Sequence, residues 1–228
     1  MNLKHFGDSY DLVKKSLLHW LSPFGPWAAH PMFTHAVAQT DAAAFSHLLG
    51  VPLVSHEVLT LGCDRSKYLA ACGSWRSIFL DPDTGVRLKK GDASRFTEFI
   101  FGDELVALAE ARAEGLVVAF DQSLARGSER EQVQAKLDHF RACGIEGFAY
   151  ISHASFLVLG RSSAIVQEAR KQVLVASGLP PVRIIVATLP NITMSRRPPR
   201  WSRCGARLIF ESLGSNAIRS RPNEKKEQ

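Results

Sequence analysis

No Cys-x-x-Cys pair occurs in this 228-residue chain, and its four cysteines, Cys63, Cys72, Cys143 and Cys204, are scattered. That spacing excludes the zinc ribbons built on such pairs and implies no disulfide framework. Thiols of a reducing cytoplasm are the expectation. Long apolar runs are missing too: no segment approaches the roughly 20 residues that a membrane-spanning helix needs. The opening Met1-Asn2-Leu3-Lys4-His5-Phe6-Gly7-Asp8 has no basic region followed by an apolar stretch, so neither a secretory signal nor a membrane partner is expected. The eight histidines include no His-x-x-x-His pair, and no metal ligands are assigned.

A one-signed body charge is also lacking. The net charge is +6, but from Asn191 onward there are nine basic and three acidic residues, which leaves 19 of each before it. The sequence therefore divides into a neutral body, residues 1–190, and a basic tail, 191–228, whose lack of period predicts disorder. In that tail Arg196, Arg197, Arg200 and Arg203 surround Trp201, a composition able to contact a nucleic-acid strand or simply to solvate.

What is present in the body is an alternation of helical and strand patterns. Helices are predicted over 9–21 (Asp8 or Ser9 as N-cap), 40–50, 63–72, 95–115 for the most part, 128–144 and 162–178. Strands are predicted at 27–34, within 51–60, at 77–83, 116–123 and 182–189, with a hairpin over 146–161 turning near Ser152–Ala154. Such alternation predicts an α/β fold, a three-layer Rossmann-like sandwich around a mostly parallel sheet with a late antiparallel β-hairpin.

Two of these strands run straight into acid. "FLDPDTG" ends in Asp81 and Asp83, and "LVVAFDQS" in Asp121. Ligands of open α/β sheets sit beyond the carboxyl ends of the strands. If the two strands are neighbours, three carboxylates would share one edge and favour a cation or a raised pKa. The same residues are also good turn builders. Asp8, Asp11 and Lys14 surround the start of the first helix, where they suit an anion anchor or a solvated i,i+3 ion pair. Arg126 precedes a helix N-terminus and His153 sits in the hairpin turn, so both are candidate substrate contacts beside the same edge.

In the order of its elements the chain resembles the class I S-adenosylmethionine-dependent methyltransferases. "FLDPDTG" looks like their Asp-Pro-Pro-x-Gly motif, seen in enzymes that methylate nucleic-acid amines. "GDSYDLVKK" resembles the opening of a ribosomal-RNA adenine methyltransferase family, and "GFAYISHASFLVLG" is similar to the paired closing strands of the class. The resemblance implies that Asp81 orients an acceptor amine, that Glu57 is the acid facing the cofactor ribose, and that the substrate is a nucleic acid or nucleotide. The chain departs from the class in two places: the glycine-rich cofactor turn is replaced by "WAAHPMFTHAVAQTD", and Asp83 stands where a second proline is usual. The residues alone leave two other readings open. One is a Mg²⁺-dependent phosphodiesterase or nuclease using the same carboxylates. The other is a non-catalytic accessory module with a degenerate Rossmann-like fold.

Overall fold

The structure is a computed structural model that describes residues 6–91 and 93–188; the predicted tail and its boundary at Pro190 lie outside these. Six strands form one mixed sheet: β1 (Trp27–His30), β2 (Ser77–Leu80), β5 (Val117–Asp121), β7 (Ser155–Gly160), β6 (Glu146–Ile151) and β8 (Ile184–Val186), in that spatial order. β1, β2 and β5 are parallel. Beyond them β7, β6 and β8 are joined by antiparallel pairings. The sheet is therefore divided into a parallel and an antiparallel half, not mostly parallel as expected. The hairpin turns over 152–154, as its sequence predicted, but the closing strand β8 extends the antiparallel half.

Alternation along the strands sorts the core into two layers. Leu80, Ala119 and Leu157 face α3 (Arg65–Ala70), α4 (Gly102–Glu110) and α5 (Glu129–Ala142). Phe79, Val118 and Phe156 face α1 (Ser9–Trp20), α2 (Gln39–Leu49) and α6 (Ser163–Ser177). Period 2 in the strands against apolar stripes on the helices yields this sandwich, with helices on both sides of the sheet. No helix among the described residues is long and apolar enough to cross a membrane. Cys63 and Cys72 are free thiols.

Three local expectations differ from the structure. Only an isolated parallel bridge, Ala29 to Leu53, stands where a strand was expected in 51–60. Residues 95–115 are not one helix: a 3-10 turn, Ala93–Glu98, and a strand β4 (Phe99–Phe101) precede α4. β4 pairs in parallel with β3 (Gly85–Arg87), a short strand after the Asp-Pro-Asp turn that the sequence did not reveal. Arg65 overrides the helical pattern here. Its guanidinium forms a two-pronged pair with Glu104 and donates to the Phe96 and Phe99 carbonyls, while lying against the Phe96 and Phe101 rings. Glu104 in turn accepts the Phe101 N–H, so one ion pair fixes both the end of β4 and the start of α4. At Gly115 a Cβ would collide with the Arg76 carbonyl oxygen, and this close approach requires glycine.

The polar face of α5 has a use of its own. Arg130 donates to the Val182 carbonyl, Gln134 to the Val186 carbonyl and Arg141 to the Thr188 carbonyl, and Asp138 accepts the Thr188 N–H. Spaced by three or four residues, these side chains tie the segment around β8 to a helix some fifty residues earlier.

Candidate functional site

β2 and β5 are neighbours, with Leu80 opposite Ala119, so the two acid-ended strands do meet at one sheet edge. Their acids nevertheless diverge. Asp81 follows Leu80 and so falls on the α1 side; Asp121 follows Phe120 and so falls on the α5 side, because successive side chains alternate between faces. The expected shared cluster of three carboxylates does not form. Each strand-end acid meets its own lysine.

On the α1 side, Lys14 Nζ lies 2.9 Å from Asp81 Oδ2 and 3.0 Å from Asp11 Oδ1. The ammonium also sits 4.5 Å from the centre of the Phe120 ring, a favourable cation–aromatic approach. Asp81 is 1% exposed and Lys14 4%. Helical spacing explains the placement, since Lys14 lies on the stripe that continues through Leu17, Leu18 and Leu21 into the core. The second oxygen of Asp11 accepts the Gly7 N–H at 2.9 Å. Two carboxylates thus surround one ammonium. Burial pushes the Asp81 carboxyl above its ordinary value, against the pull of Lys14. Burial alone would lower the Lys14 value, yet Asp81 and Asp11 together hold it above that of an ordinary lysine. The ion pair expected on a solvated face is instead the buried bolt between α1 and β2.

Asp121, fully buried, is bound on the other face. Its Oδ1 accepts from the Val86 and Ser123 N–H groups and from the Ser123 hydroxyl, and its Oδ2 lies 2.5 Å from Lys136 Nζ. Lys136 further donates to the Val86 carbonyl and to Ser123 Oγ. This junction fastens β3 to β5. Gly85 passes so close that a Cβ would stand 2.3 Å from Asp121 Oδ1, and its φ of +137° is a conformation L side chains rarely adopt. Much of "DPDTG" is thereby accounted for: Asp81 bolts α1, Thr84 accepts the Gln122 N–H, and Gly85 makes room for Asp121.

The remaining candidates fall around or away from this edge. Asp83 is half-buried in the turn between β2 and β3. Asp8 is the N-cap of α1, its carboxylate accepting the Tyr10 and Asp11 N–H groups. His153, exposed in the hairpin turn, has its ring centre 4.5 Å from that of Tyr10 at a tilt of 36° and lies 3.4 Å from Ser9 Oγ, so it touches the start of α1. Arg126 is exposed in the loop before α5. Glu57 is exposed; its backbone N–H donates to Ser55 Oγ and its carbonyl accepts from the Tyr68 hydroxyl. Sequence reading missed Lys136, Gly85 and Arg65. A signal for Lys136 existed: it interrupts the apolar stripe Val133, Leu137, Phe140.

Beyond the carboxyl end of β1 the chain turns through Pro31, Met32 and Phe33. Met32 takes a φ of +48°, and both Met32 and Phe33 are 0% exposed, one packed into each core layer. His30 is buried beneath them, accepted by the Tyr68 carbonyl at 3.3 Å through Nε2, and burial lowers its pKa to about 4. No group of three or more His, Cys, Asp or Glu able to hold a metal occurs among the described residues. No protein-family model, curated protein or solved structure matches the chain.

Proposed function

We propose that this chain is a non-catalytic binding or accessory module on a methyltransferase-like, Rossmann-type framework, with a nucleic acid or nucleotide as its ligand class. The observation that carries this reading is the packed turn after β1. In the class it resembles, backbone there approaches the methionine moiety of S-adenosylmethionine; here the turn carries two fully buried side chains, Met32 and Phe33, one packed into each core layer. A turn packed in this way argues against a cofactor held there by close backbone approach. The acid that would orient an acceptor amine, Asp81, is itself buried and bonded to Lys14. A Mg²⁺-dependent nuclease gains no support either, because the strand-end carboxylates lie on opposite faces with an ammonium where a divalent ion would sit.

Support for a nucleic-acid ligand comes from the basic sequence after Asn191 and from the His153–Tyr10 ring contact at the sheet edge. Titration calorimetry of the full chain with S-adenosylmethionine should give no saturable heat. Single-stranded oligonucleotides should bind with a steep salt dependence that flattens when residues 191–228 are deleted. Saturable cofactor binding that is lost in Asp81→Ala would overturn the non-catalytic reading. Absence of oligonucleotide binding at low salt would remove the nucleic-acid part.

A second reading, a catalytic methyltransferase, is favoured by the antiparallel β6–β7 pair beside β5, which matches the closing strands of that class. It requires α1 to withdraw Lys14 from Asp81. The same calorimetry separates the two.

A further inference from the structure

A groove of about 360 Å³ opens at the amino end of β6. Because β5 and β6 both run antiparallel to β7, this end lies at the opposite edge of the sheet from Asp121. The buried side chains of Phe148 and Val166, together with Val186, give the groove an apolar floor. Around it stand Arg141 at the end of α5, Arg170 on α6 and Glu146 at the start of β6.

The charges of this lining are kept apart. Arg141 donates to the Thr188 carbonyl at 3.2 Å through one nitrogen, which leaves the rest of its fork available. Among the described residues, the half-buried side chains of Arg170 and Glu146 make no ion pair or hydrogen bond, although both line the same small groove. Guanidinium and carboxylate groups within reach of one concavity, unpaired with each other, are complementary to a ligand that carries both signs. The volume is at the lower end of small-molecule sites, and an apolar floor between the charges suits an aliphatic or aromatic side chain.

We propose that the groove binds a free α-amino acid with an apolar side chain. Arg141 and Arg170 receive its carboxylate, as the planar guanidinium fork does well. Glu146 accepts from its ammonium, and the side chain covers Phe148, Val166 and Val186. This site is separate from the strand-end edge and stands or falls independently of the function proposed above.

The test is calorimetry on the full chain with L-leucine and L-phenylalanine, and with N-acetyl-L-leucine, which keeps the carboxylate and loses the ammonium. Saturable binding in the micromolar to millimolar range is expected, weakened roughly tenfold or more by Arg170→Gln. N-acetyl-L-leucine should bind more weakly than L-leucine, and Glu146→Gln should abolish that difference. Thermal melts of both variants should stay close to the parent, because neither side chain has a described bond to lose. No saturable heat from either amino acid would overturn the proposal. Equal affinity for leucine and its N-acetyl derivative in the parent chain, or binding indifferent to Arg170→Gln, would overturn it as well.

Discussion

Replacing Lys14 with methionine keeps most of the side-chain volume and removes only the charge that sits between Asp11 and Asp81. Those partners lie at 3.0 and 2.9 Å and are almost wholly out of water. Removing one member of a buried ionic group typically costs about 3–5 kcal/mol, because the remaining charge is left uncompensated. Here the loss should fall near about 3 kcal/mol, since Asp81 can take up a proton in place of its lost partner. That is a large part of the roughly 5–15 kcal/mol that holds a domain folded. Asp81→Asn leaves Lys14 paired with Asp11 and should cost less. The double variant Lys14→Met/Asp81→Asn should be more stable than the sum of the singles predicts.

The pH dependence has a definite sign. Without Lys14 the folded-state pKa of Asp81, already raised by burial, rises further. A carboxyl whose folded pKa exceeds its unfolded value is favoured below the unfolded pKa and loses that advantage as pH climbs toward the folded one. The deficit of Lys14→Met should therefore be smallest near pH 4 and grow toward neutrality. Urea unfolding followed by tryptophan fluorescence at several pH values measures all of this. A loss below about 1 kcal/mol, the scale of a surface ion pair, with additive single variants would refute the buried bolt.

Gly85→Ala should destabilise by more than about 2 kcal/mol, since it combines a Cβ 2.3 Å from Asp121 Oδ1 with a φ of +137°; a melting temperature within a degree of the parent would contradict the junction. Arg65→Lys should lower stability by roughly 2 kcal/mol, because lysine cannot reproduce the fork onto Glu104 or the bonds to Phe96 and Phe99. Hydrogen exchange should then report loss of protection in β3 and β4 before the main sheet. His30, with a folded pKa of about 4 against an unfolded value near 6.5, contributes stability that is present above pH 6.5 and lost as pH falls toward 4, up to roughly 3 kcal/mol. His30→Gln should flatten the stability profile within that window, and an unchanged slope would show that the imidazole is not buried in its neutral form.

Elements with strong local patterns were legible in the sequence. The helix cap at Asp8 and the hairpin turn at 152–154 follow from short-range chemistry. The 95–115 segment misled because its helical composition is overruled by distant contacts: Arg65, thirty residues upstream, holds the carbonyls of Phe96 and Phe99. Ser128 with Glu131 reads as a capping box, yet Ser128 makes no side-chain cap. At the strand ends, the acids Asp81 and Asp121 could be read as a pair, but their faces could not. That depended on the parity of the last strand residue, and on two lysines whose stripe positions matter only once the helices have docked.

The ladder of α5 side chains over residues 182–188 bears on how this protein behaves at high concentration. Among the described residues β8 ends the sheet, and a short, apolar edge strand such as Ile184-Ile185-Val186 is an invitation for another chain to extend the sheet and begin an aggregate. Here the carbonyls of Val182, Val186 and Thr188 and the amide of Thr188 are already bonded within the molecule. An incoming strand must first displace Arg130, Gln134, Asp138 and Arg141. Side chains that look, in the sequence, like ordinary solvation thus occupy the polar groups that such an encounter would use.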